Sequence, residues 1–172
     1  MIIGNRPCRL LIAWFALFCA GVGVADSPEA AADTAPDAAQ LDQAFSRSAL
    51  QIATPDARLH SFHVWIADTE ARRARGLMFV KRLDDDAGML FIYPSKQRIA
   101  MWMKNTYIPL DMLFVAANGR VAKVVEHTEP QSLQTIESGS DVIAVVELNA
   151  GTAARLHIRA GAQVIHPAFL LR

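Results

Sequence analysis

Cysteine is scarce in this sequence, and where it occurs is informative. The chain of 172 residues has 2 Cys, Cys8 and Cys19, and both lie near its start. Everything after Cys19 is free of thiols, which excludes disulfides, cysteine nucleophiles and cysteine-ligated zinc or iron–sulfur sites from that part. A domain formed there must be stabilised by its hydrophobic core.

The sequence also lacks an excess of either charge. The 17 Lys+Arg balance the 17 Asp+Glu, and the formal net charge is +0 at pH 7. A dedicated nucleic-acid-binding protein normally carries a clear basic excess, so we expect no nucleic-acid partner. The length suits one domain with appendages.

Several motifs of cofactor and metal chemistry are missing as well. The five histidines are not spaced like a zinc site, and neither a Gly-x-Ser-x-Gly element nor a glycine-rich phosphate loop occurs. We therefore expect no cofactor and no zinc site. The sequence leaves open whether the protein is an enzyme.

The chain begins with the features of a secretory signal. Arg6 and Arg9 precede an apolar run, residues 10–24, which is shorter than the roughly 20 residues of a membrane-spanning helix. Small residues follow, so we predict a signal peptide over 1–25 with cleavage after Ala25, and a periplasmic or secreted protein. The alternative is an uncleaved anchor, which would be the protein's one contact with a membrane.

A spacer is predicted after the signal. Residues 26–45 are rich in Ala, Asp and Pro and contain no Lys or Arg. Such a composition buries little apolar surface, so the segment is expected to be a disordered tether. The remaining residues, 46–172, are long enough for one cooperative core and are predicted to form a single domain.

Apolar residues in the predicted domain alternate over short stretches, which indicates strands. Two short helices are expected, one from Asp68 or Thr69 to Arg75 and one from Thr152, ended by Gly76 and Gly161. We predict a mainly β fold, a compact jelly-roll-like sandwich or barrel of about eight short strands. The strands are placed at 50–53, 58–67, 88–93, 98–103, 110–117, 120–126, 141–148 and 163–166.

The strongest local signal is Asn118-Gly119 between two apolar runs, which is typical of a two-residue hairpin turn. That turn would pair Leu113 with Val124, Val115 with Ala122 and Ala117 with Arg120. The same register places Asp111 opposite Glu126.

Five short motifs carry a resemblance to a known family. The chain resembles the domain of unknown function family numbered 192 over about residues 50–166. The resemblance implies a mostly β, jelly-roll-like domain that is often exported in bacteria, and it implies no established activity. In order along the chain, the motifs are Arg75-Gly76-Leu77-Met78, Gly88-Met89-Leu90-Phe91, Trp102-Met103-Lys104-Asn105-Thr106, Pro109-Leu110-Asp111 and Glu147-Leu148-Asn149-Ala150-Gly151.

The pairing of Asp111 with Glu126 suggests a polar site, because two opposed carboxylates need a cation, a metal ion or a shared proton. Lys104 and Arg75 are the candidate cations. In the competing interpretation, Asp111 accepts hydrogen bonds from the backbone of the 104–109 connection and Glu126 points into water.

The residues that follow the strand at 98–103 suggest a second polar site. Trp102 offers a stacking surface, and Lys104 and Asn105 offer donors for a sugar or a small anion. The competing interpretation is a loop in which Asn105 caps its own turn and Lys104 pairs with Asp111 or Glu147.

Five methionines fall between residues 78 and 112, and Met101 and Met103 share one face of a strand. Thioethers favour Cu(I), and His63 or His127 would complete such a site. Methionine also fills gaps in cores, which is the competing explanation.

Three hypotheses follow. We favour a non-enzymatic exported module that binds a small polar ligand or a protein partner. The second is an enzyme that uses Asp111 and Glu126, or Glu147, as acid and base. The third is a Cu(I)-binding protein. The ligand-binding residues predicted for the first are Arg75, Trp102, Lys104, Asn105, Asp111, Glu126 and Glu147.

Overall fold

The structure is a computed structural model that describes residues 36–170. The signal peptide predicted over 1–25 lies outside the described residues. Seven strands form a single sheet: β1 (Ser46–Ala53), β2 (Leu59–Ala67), β3 (Ala87–Met101), β4 (Leu110–Val115), β5 (Val121–Val125), β6 (Ile136–Asn149) and β7 (Gln163–Ile165). Three short α-helices accompany it: α1 (Pro36–Ala44), α2 (Glu70–Arg75) and α3 (Thr152–Arg155).

The sheet curves into a nearly closed barrel. Its strand order is β5-β4-β6-β3-β2-β1-β7, so β5 and β7 are the two edges. An isolated bridge between Arg120 and Gln163 joins the edges, and Val121 N donates to Ala162 O at 2.8 Å beside it. The predicted mainly β class is confirmed.

One strand pair differs from the others. β2 and β3 run parallel, whereas every other pair in the described sheet is antiparallel. A parallel pair needs a crossover connection, because the chain must return to the starting end of the sheet. Residues 68–86 form that connection and include α2.

Both faces of the central strands are buried, because side chains alternate between faces along a strand. On β4, Leu113 and Val115 belong to one apolar cluster, whereas Met112 and Phe114 belong to the other. The first cluster fills the barrel, and the second lies under α1 and the crossover connection. Of the residues on β4, Asp111 is the charged one.

The first described helix differs from the expected tether. In α1, Leu41 is 1% exposed, and Phe45, directly after the helix, is 4% exposed. Asp37 Oδ2 accepts from the backbone N–H groups of Lys81 and Arg82, both at 3.0 Å. The folded unit therefore starts before the predicted boundary at 46, because two apolar side chains and one carboxylate are enough to dock a short helix.

The third strand also differs from its prediction. The sequence suggested two strands around Pro94, but β3 is one long strand, paired with β6 on both sides of an irregularity between Ile92 and Gln97. The irregularity accommodates Pro94, which has no N–H for the ladder. The structure thus has seven strands instead of about eight.

The hairpin between β4 and β5 has a different turn from the predicted one. Gly119, at φ 77°, closes a turn in which Gly119 N donates to Ala116 O at 2.9 Å. The turn has one residue more than expected, and a bulge then pairs Val115 with Val121 instead of Ala122. The two offsets cancel, so the predicted pairing of Leu113 with Val124 is confirmed, whereas those of Val115 with Ala122 and Ala117 with Arg120 are wrong.

Among the described residues, no helix has the length and apolar character required to cross a membrane.

Candidate functional site

A cleft of about 270 Å³ lies where the crossover connection meets the end of β3 and the loop that follows it. The connection supplies Arg73 to Met78, and the loop supplies Trp102, Lys104 and Thr106. Its lining is mostly apolar and includes three cationic side chains. The full lining is Glu70, Arg73, Ala74, Arg75, Gly76, Leu77, Met78, Phe91, Tyr93, Ala100, Met101, Trp102, Lys104, Thr106 and Glu147.

Glu147 is the buried acid of this cleft. It lies on β6 between Met89 of β3 and Met112 of β4, and it is 4% exposed. Its carboxyl group makes no hydrogen bond or ion pair with any residue in the described part of the chain. Burial raises the pKa of Glu147 to about 8, because the charged form loses its hydration without gaining a partner.

The neutral form of Glu147 therefore prevails at pH 7. A protonated carboxyl group has one O–H donor and retains acceptor capacity. The carboxyl group opens onto the cleft, since Glu147 is among the lining residues and its oxygens are not among the fully buried, unpartnered side-chain atoms of the described residues.

Three cations line the cleft, and each is already held by the protein. Arg73 Nη1 donates to the carbonyl oxygens of Asp68 and Ile92, at 2.7 and 2.8 Å. The Arg75 guanidinium lies 5.5 Å from the ring centre of Phe45. Arg73 is thus held by two hydrogen bonds and Arg75 by a weaker cation–π contact, and neither forms an ion pair with a carboxylate of the described residues.

Lys104 is held in a similar way, because its Nζ lies 5.4 Å from the centre of the Trp102 ring. With Glu147 protonated, the acid left among the lining residues is Glu70, which is exposed. Three cations face one carboxylate, so the cleft has a positive potential and favours anions.

The wall formed by the crossover connection depends on a glycine. Thr69 caps α2, and Gly76 ends it at φ 48°, a left-handed conformation that favours glycine. A Cβ on Gly76 would lie 3.0 Å from Cζ of Phe91. Leu77 and Met78 follow this turn directly and line the cleft together with Glu147.

The opposite wall is formed by the loop after β3. Asn105 adopts φ 56°, and its carbonyl accepts from Phe79 N at 2.9 Å. Its side-chain Nδ2 donates to Met78 Sδ at 3.9 Å. Asn105 therefore joins the two walls and shapes the cleft without lining it. The competing interpretation differs from this, because it had Asn105 capping its own turn and Lys104 pairing with Asp111 or Glu147, whereas Asn105 Nδ2 contacts Met78 and Lys104 lies over Trp102.

Asp111 lies elsewhere and has a different environment. It is 0% exposed, and its carboxylate accepts from His127 N at 3.0 Å and Ala153 N at 2.8 Å. Gly151, the N-cap of α3, has no side chain to offer, so Asp111 satisfies the helix from a neighbouring strand. The acceptor role was anticipated, but the donors are not those of the 104–109 connection.

Glu126 does not join Asp111 in a site. Its side chain is exposed and lines a separate surface groove with His127 and Glu129. The structure thus brings Arg75, Trp102, Lys104 and Glu147 of the predicted set together, places Asn105 beside them, and separates Asp111 and Glu126 from them.

Sequence reasoning missed several residues of the cleft. Arg73 and Tyr93 were not singled out, although Arg73 lies over the Tyr93 ring at 5.0 Å. Met78 and Met101 were noted only as methionines. The available signal was Glu147 itself, a lone acid in the apolar run 142–148.

The predicted methionine pair does not form one site. Met101 lines the cleft, whereas Met103 is 1% exposed and accepts from Thr128 Oγ1 at 3.2 Å. His63 and His127 do not line the cleft. Within residues 36–170, no group of three or more His, Cys, Asp or Glu side chains is arranged to hold a metal ion.

A serine and a histidine also come together, at the start of the sheet. His166 Nε2 lies 3.0 Å from Ser48 Oγ, and His166 Nδ1 accepts from Ala168 N. Because Nδ1 is an acceptor, a neutral ring carries its proton on Nε2 and donates it to the serine. Burial lowers the pKa of His166, which keeps the ring neutral. This geometry cannot activate Ser48 as a nucleophile.

A comparison with family models identifies one family. The sequence model of the family described as DUF192, uncharacterized ACR, matches residues 51–166. A solved structure from Sinorhizobium meliloti 1021, provisionally described as a transcription regulator, is 36% identical, with a TM-score of 0.71 over 72% of this chain and 96% of that one.

A second solved structure, a protein of unknown function from Novosphingobium aromaticivorans DSM 12444, is 33% identical. Its TM-score is 0.68, over 70% of this chain and 85% of that one. A search of curated proteins found no match.

Proposed function

The chain belongs to the DUF192 family, and from that premise we propose that it is a binding module for a small anionic ligand, which it holds in the cleft over Glu147. One observation supports this most strongly: a buried carboxyl group, with which no residue of the described chain forms a hydrogen bond or an ion pair, lines a cleft together with three cationic side chains. The proposal refines the binding module that the sequence suggested: Trp102 and Lys104 are still counted as ligand-binding residues, whereas Asp111 is not, because it does not line the cleft.

A carboxylate is the anion that this arrangement suits best. The protonated Glu147 donates one hydrogen bond, and Arg75 and Lys104 compensate the ligand's charge at the rim. Charge-assisted hydrogen bonds of this kind are about twice as strong as neutral ones. A cationic ligand would be repelled by Arg73, Arg75 and Lys104.

The walls of the cleft limit the polarity and the size of the part of the ligand that is attached to its carboxylate. Leu77, Met78, Phe91 and Met101 offer few hydrogen-bonding groups, so a densely hydroxylated sugar would leave many of its polar groups unsatisfied. The volume lies below the roughly 300–1,000 Å³ of pockets for drug-sized molecules. A short monocarboxylate with an apolar body fits both limits.

The description of the Sinorhizobium protein raises regulation of transcription as a role. The described helices of this chain have 9, 6 and 4 residues, and none of them forms part of a helix-turn-helix unit. The balanced charge adds no support for nucleic-acid binding. We therefore propose no nucleic-acid partner.

A second candidate function is acid–base catalysis by Glu147. A carboxyl group with its pKa near 8 is suited to transfer a proton at neutral pH, which favours this candidate. Asp111 and Glu126 do not line the cleft, so the acid and base pair expected from the sequence is reduced to one residue. Turnover of a bound carboxylate, lost in Glu147→Gln, would distinguish catalysis from binding.

We further propose that the protein acts in the periplasm or outside the cell. The support is the sequence of residues 1–25, with its basic start, short apolar run and small residues before Ala25. Mass spectrometry of the protein recovered from the periplasmic fraction should show an N-terminus at Asp26. An intact N-terminus in the membrane fraction would instead identify a retained anchor.

The ligand proposal is tested by calorimetric titration with short aliphatic and aromatic monocarboxylates, with their amides and with neutral sugars as comparisons. We expect carboxylates to bind and amides and sugars to fail. Affinity should fall as the pH rises through 8, because ionised Glu147 loses its donor and repels the ligand.

Two variants sharpen the test. Glu147→Gln retains a donor without a titrating proton, so its carboxylate binding should persist above pH 8. Lys104→Gln should weaken binding about tenfold, whereas Lys96→Gln, an exposed lysine outside the cleft, should not change it. Equal binding of amides and carboxylates, or no binding of either, would contradict the proposal.

A further inference from the structure

Four exposed apolar side chains lie on the segments that form the cleft and on the loop that follows β5. Phe79 and Trp102 are each 52% exposed, Tyr107 is 43% exposed, and Leu133 on the next loop is 68% exposed. We call these four residues the rim patch. Contiguous exposed apolar side chains bordered by polar residues typically mark an interaction site.

The rim patch is continuous with the cleft. Trp102 lines the cleft, and Phe79 and Tyr107 follow directly after the lining residues Met78 and Thr106. The rings of Phe79 and Tyr107 meet edge to face, 6.1 Å apart. Leu133 lies on a loop held to the same end of the barrel, since Met103 N donates to Ser132 O at 3.1 Å.

Phe79 is held in this position at a cost. Its φ is 69°, a left-handed conformation that is unusual for a bulky residue and costs conformational energy. The hydrogen bond from Phe79 N to Asn105 O, at 2.9 Å, keeps the backbone there. The surrounding structure thus presents an aromatic ring to solvent instead of burying it.

A free small carboxylate would leave the rim patch unused. The cleft encloses only about 270 Å³, while the exposed rings lie outside it. A longer molecule whose anionic end enters the cleft and whose apolar side chains cover the rings would use both features. The cations Arg75 and Lys104 at the entrance match a carboxylate at the end of such a molecule.

We propose that the cleft and the rim patch together bind the C-terminal end of a polypeptide with apolar last residues. The terminal carboxylate accepts from Glu147 and lies near the cleft cations, and the preceding side chains pack on Phe79, Tyr107 and Trp102. This inference rests on the proposed function, since it uses the same anion site and names the molecule that carries the anion.

The test is fluorescence polarisation of the full-length protein with six-residue peptides that carry an N-terminal dye and end in two apolar residues. Each peptide is compared with its C-terminal amide and with a version ending in two serines. We expect the free-carboxylate apolar peptides to bind at least about tenfold more tightly than either comparison.

One substitution separates the rim patch from the cleft. Phe79→Asn removes the ring, and asparagine tolerates a left-handed backbone, so the variant is expected to fold at least as well as the wild type. Its peptide affinity should fall about tenfold, while its affinity for a free monocarboxylate stays unchanged. Leu59→Thr, which alters an exposed apolar residue elsewhere, is the matched control.

The outcomes are distinct. If monocarboxylates bind but peptides bind no more tightly, or if Phe79→Asn leaves peptide affinity unaltered, the peptide proposal is overturned and the small-ligand function stands. If neither binds, both fail. A wild-type dimer in sedimentation velocity that Phe79→Asn converts to a monomer would assign the rim patch to a second copy of the chain and overturn the peptide proposal.

Discussion

Glu147 is mostly ionised in the unfolded chain at pH 7 but mostly protonated in the folded protein. In the unfolded chain it is hydrated and titrates near its ordinary value of 4.5, whereas burial in the folded protein raises its pKa to about 8. The folded state therefore binds this proton more tightly. The stability that Glu147 contributes is full below the unfolded value and is lost as the pH rises through the folded value.

The first prediction concerns this pH dependence. Glu147→Gln should flatten the decline in the free energy of unfolding between pH 5 and pH 9, because glutamine has no proton to lose. Each pKa unit corresponds to about 1.4 kcal/mol, so the variant should be the more stable protein at pH 9. Urea denaturation at a series of pH values measures the effect, and parallel curves for both proteins would contradict it.

Asp111 illustrates the opposite case, a buried carboxylate with its hydrogen bonds satisfied. Asp111→Ala leaves the N–H groups of His127 and Ala153 without their acceptor. We predict a loss of about 2–4 kcal/mol in the free energy of unfolding, since each unsatisfied buried donor costs about 1–3 kcal/mol. Glu126→Ala, at an exposed site, should stay within about 0.5 kcal/mol of the wild type. Equal stability of the two variants would refute this role for Asp111.

The two acids also show what single residues reveal before the structure is known. An acid within an apolar run signals burial, and both Asp111 and Glu147 gave that signal. Their partners could not be predicted, because the donors to Asp111 come from residues 127 and 153, which only the folded topology brings together. Four of the seven predicted ligand residues do lie together in the cleft. Arg75 precedes β3, and Trp102 and Lys104 follow it, and β3 is the strand that pairs with β6 at Glu147.

At the scale of elements, α1 is a helix that its own composition does not support. Its acidic, alanine-rich sequence resembled a spacer, and its stability comes from docking. We predict that Leu41→Ala lowers the free energy of unfolding by about 2–4 kcal/mol, because Leu41 is 1% exposed. Gln40→Ala, on the exposed side of the same helix, is the control. Thermal denaturation measures both, and an unchanged melting temperature in Leu41→Ala would show that α1 does not support the fold.

Strands were easier to predict than their pairing. Alternation and turn residues located every strand of the sheet, and the register of the hairpin was right at Leu113 and Val124. The continuity of β3 past Pro94 was missed, since proline normally ends a strand and nothing local shows that an irregularity absorbs it. The parallel alignment of β2 with β3 has no local signature, because it depends on where a long connection returns.

At the scale of the whole molecule, the barrel has few backbone hydrogen bonds where its edge strands β5 and β7 meet. The edges β5 and β7 meet through the bridge between Arg120 and Gln163 and a few backbone hydrogen bonds from residues 119–121 to residues 161–164. The central strands β3 and β6 share a much longer ladder. The line between β5 and β7 should therefore open locally before the rest of the barrel.

Hydrogen exchange measures this difference. We predict that the amides of Val121, Gly161 and Val164 exchange at least about tenfold faster than those of Val145 and Val146 in the centre of β6. Uniform protection across these amides would instead indicate a barrel that opens only by complete unfolding.

The parallel pair of strands has a consequence for how this scaffold can change. Because β2 and β3 are parallel, the connection between them has to run outside the sheet. Residues 68–86 form this connection, and several of them line the cleft together with Glu147. Sequence variation there would change one wall of the proposed binding cleft while the strand ladders keep their register. Grafting residues 68–86 from one relative onto another is thus a direct way to test whether this connection sets the ligand preference of the proposed cleft.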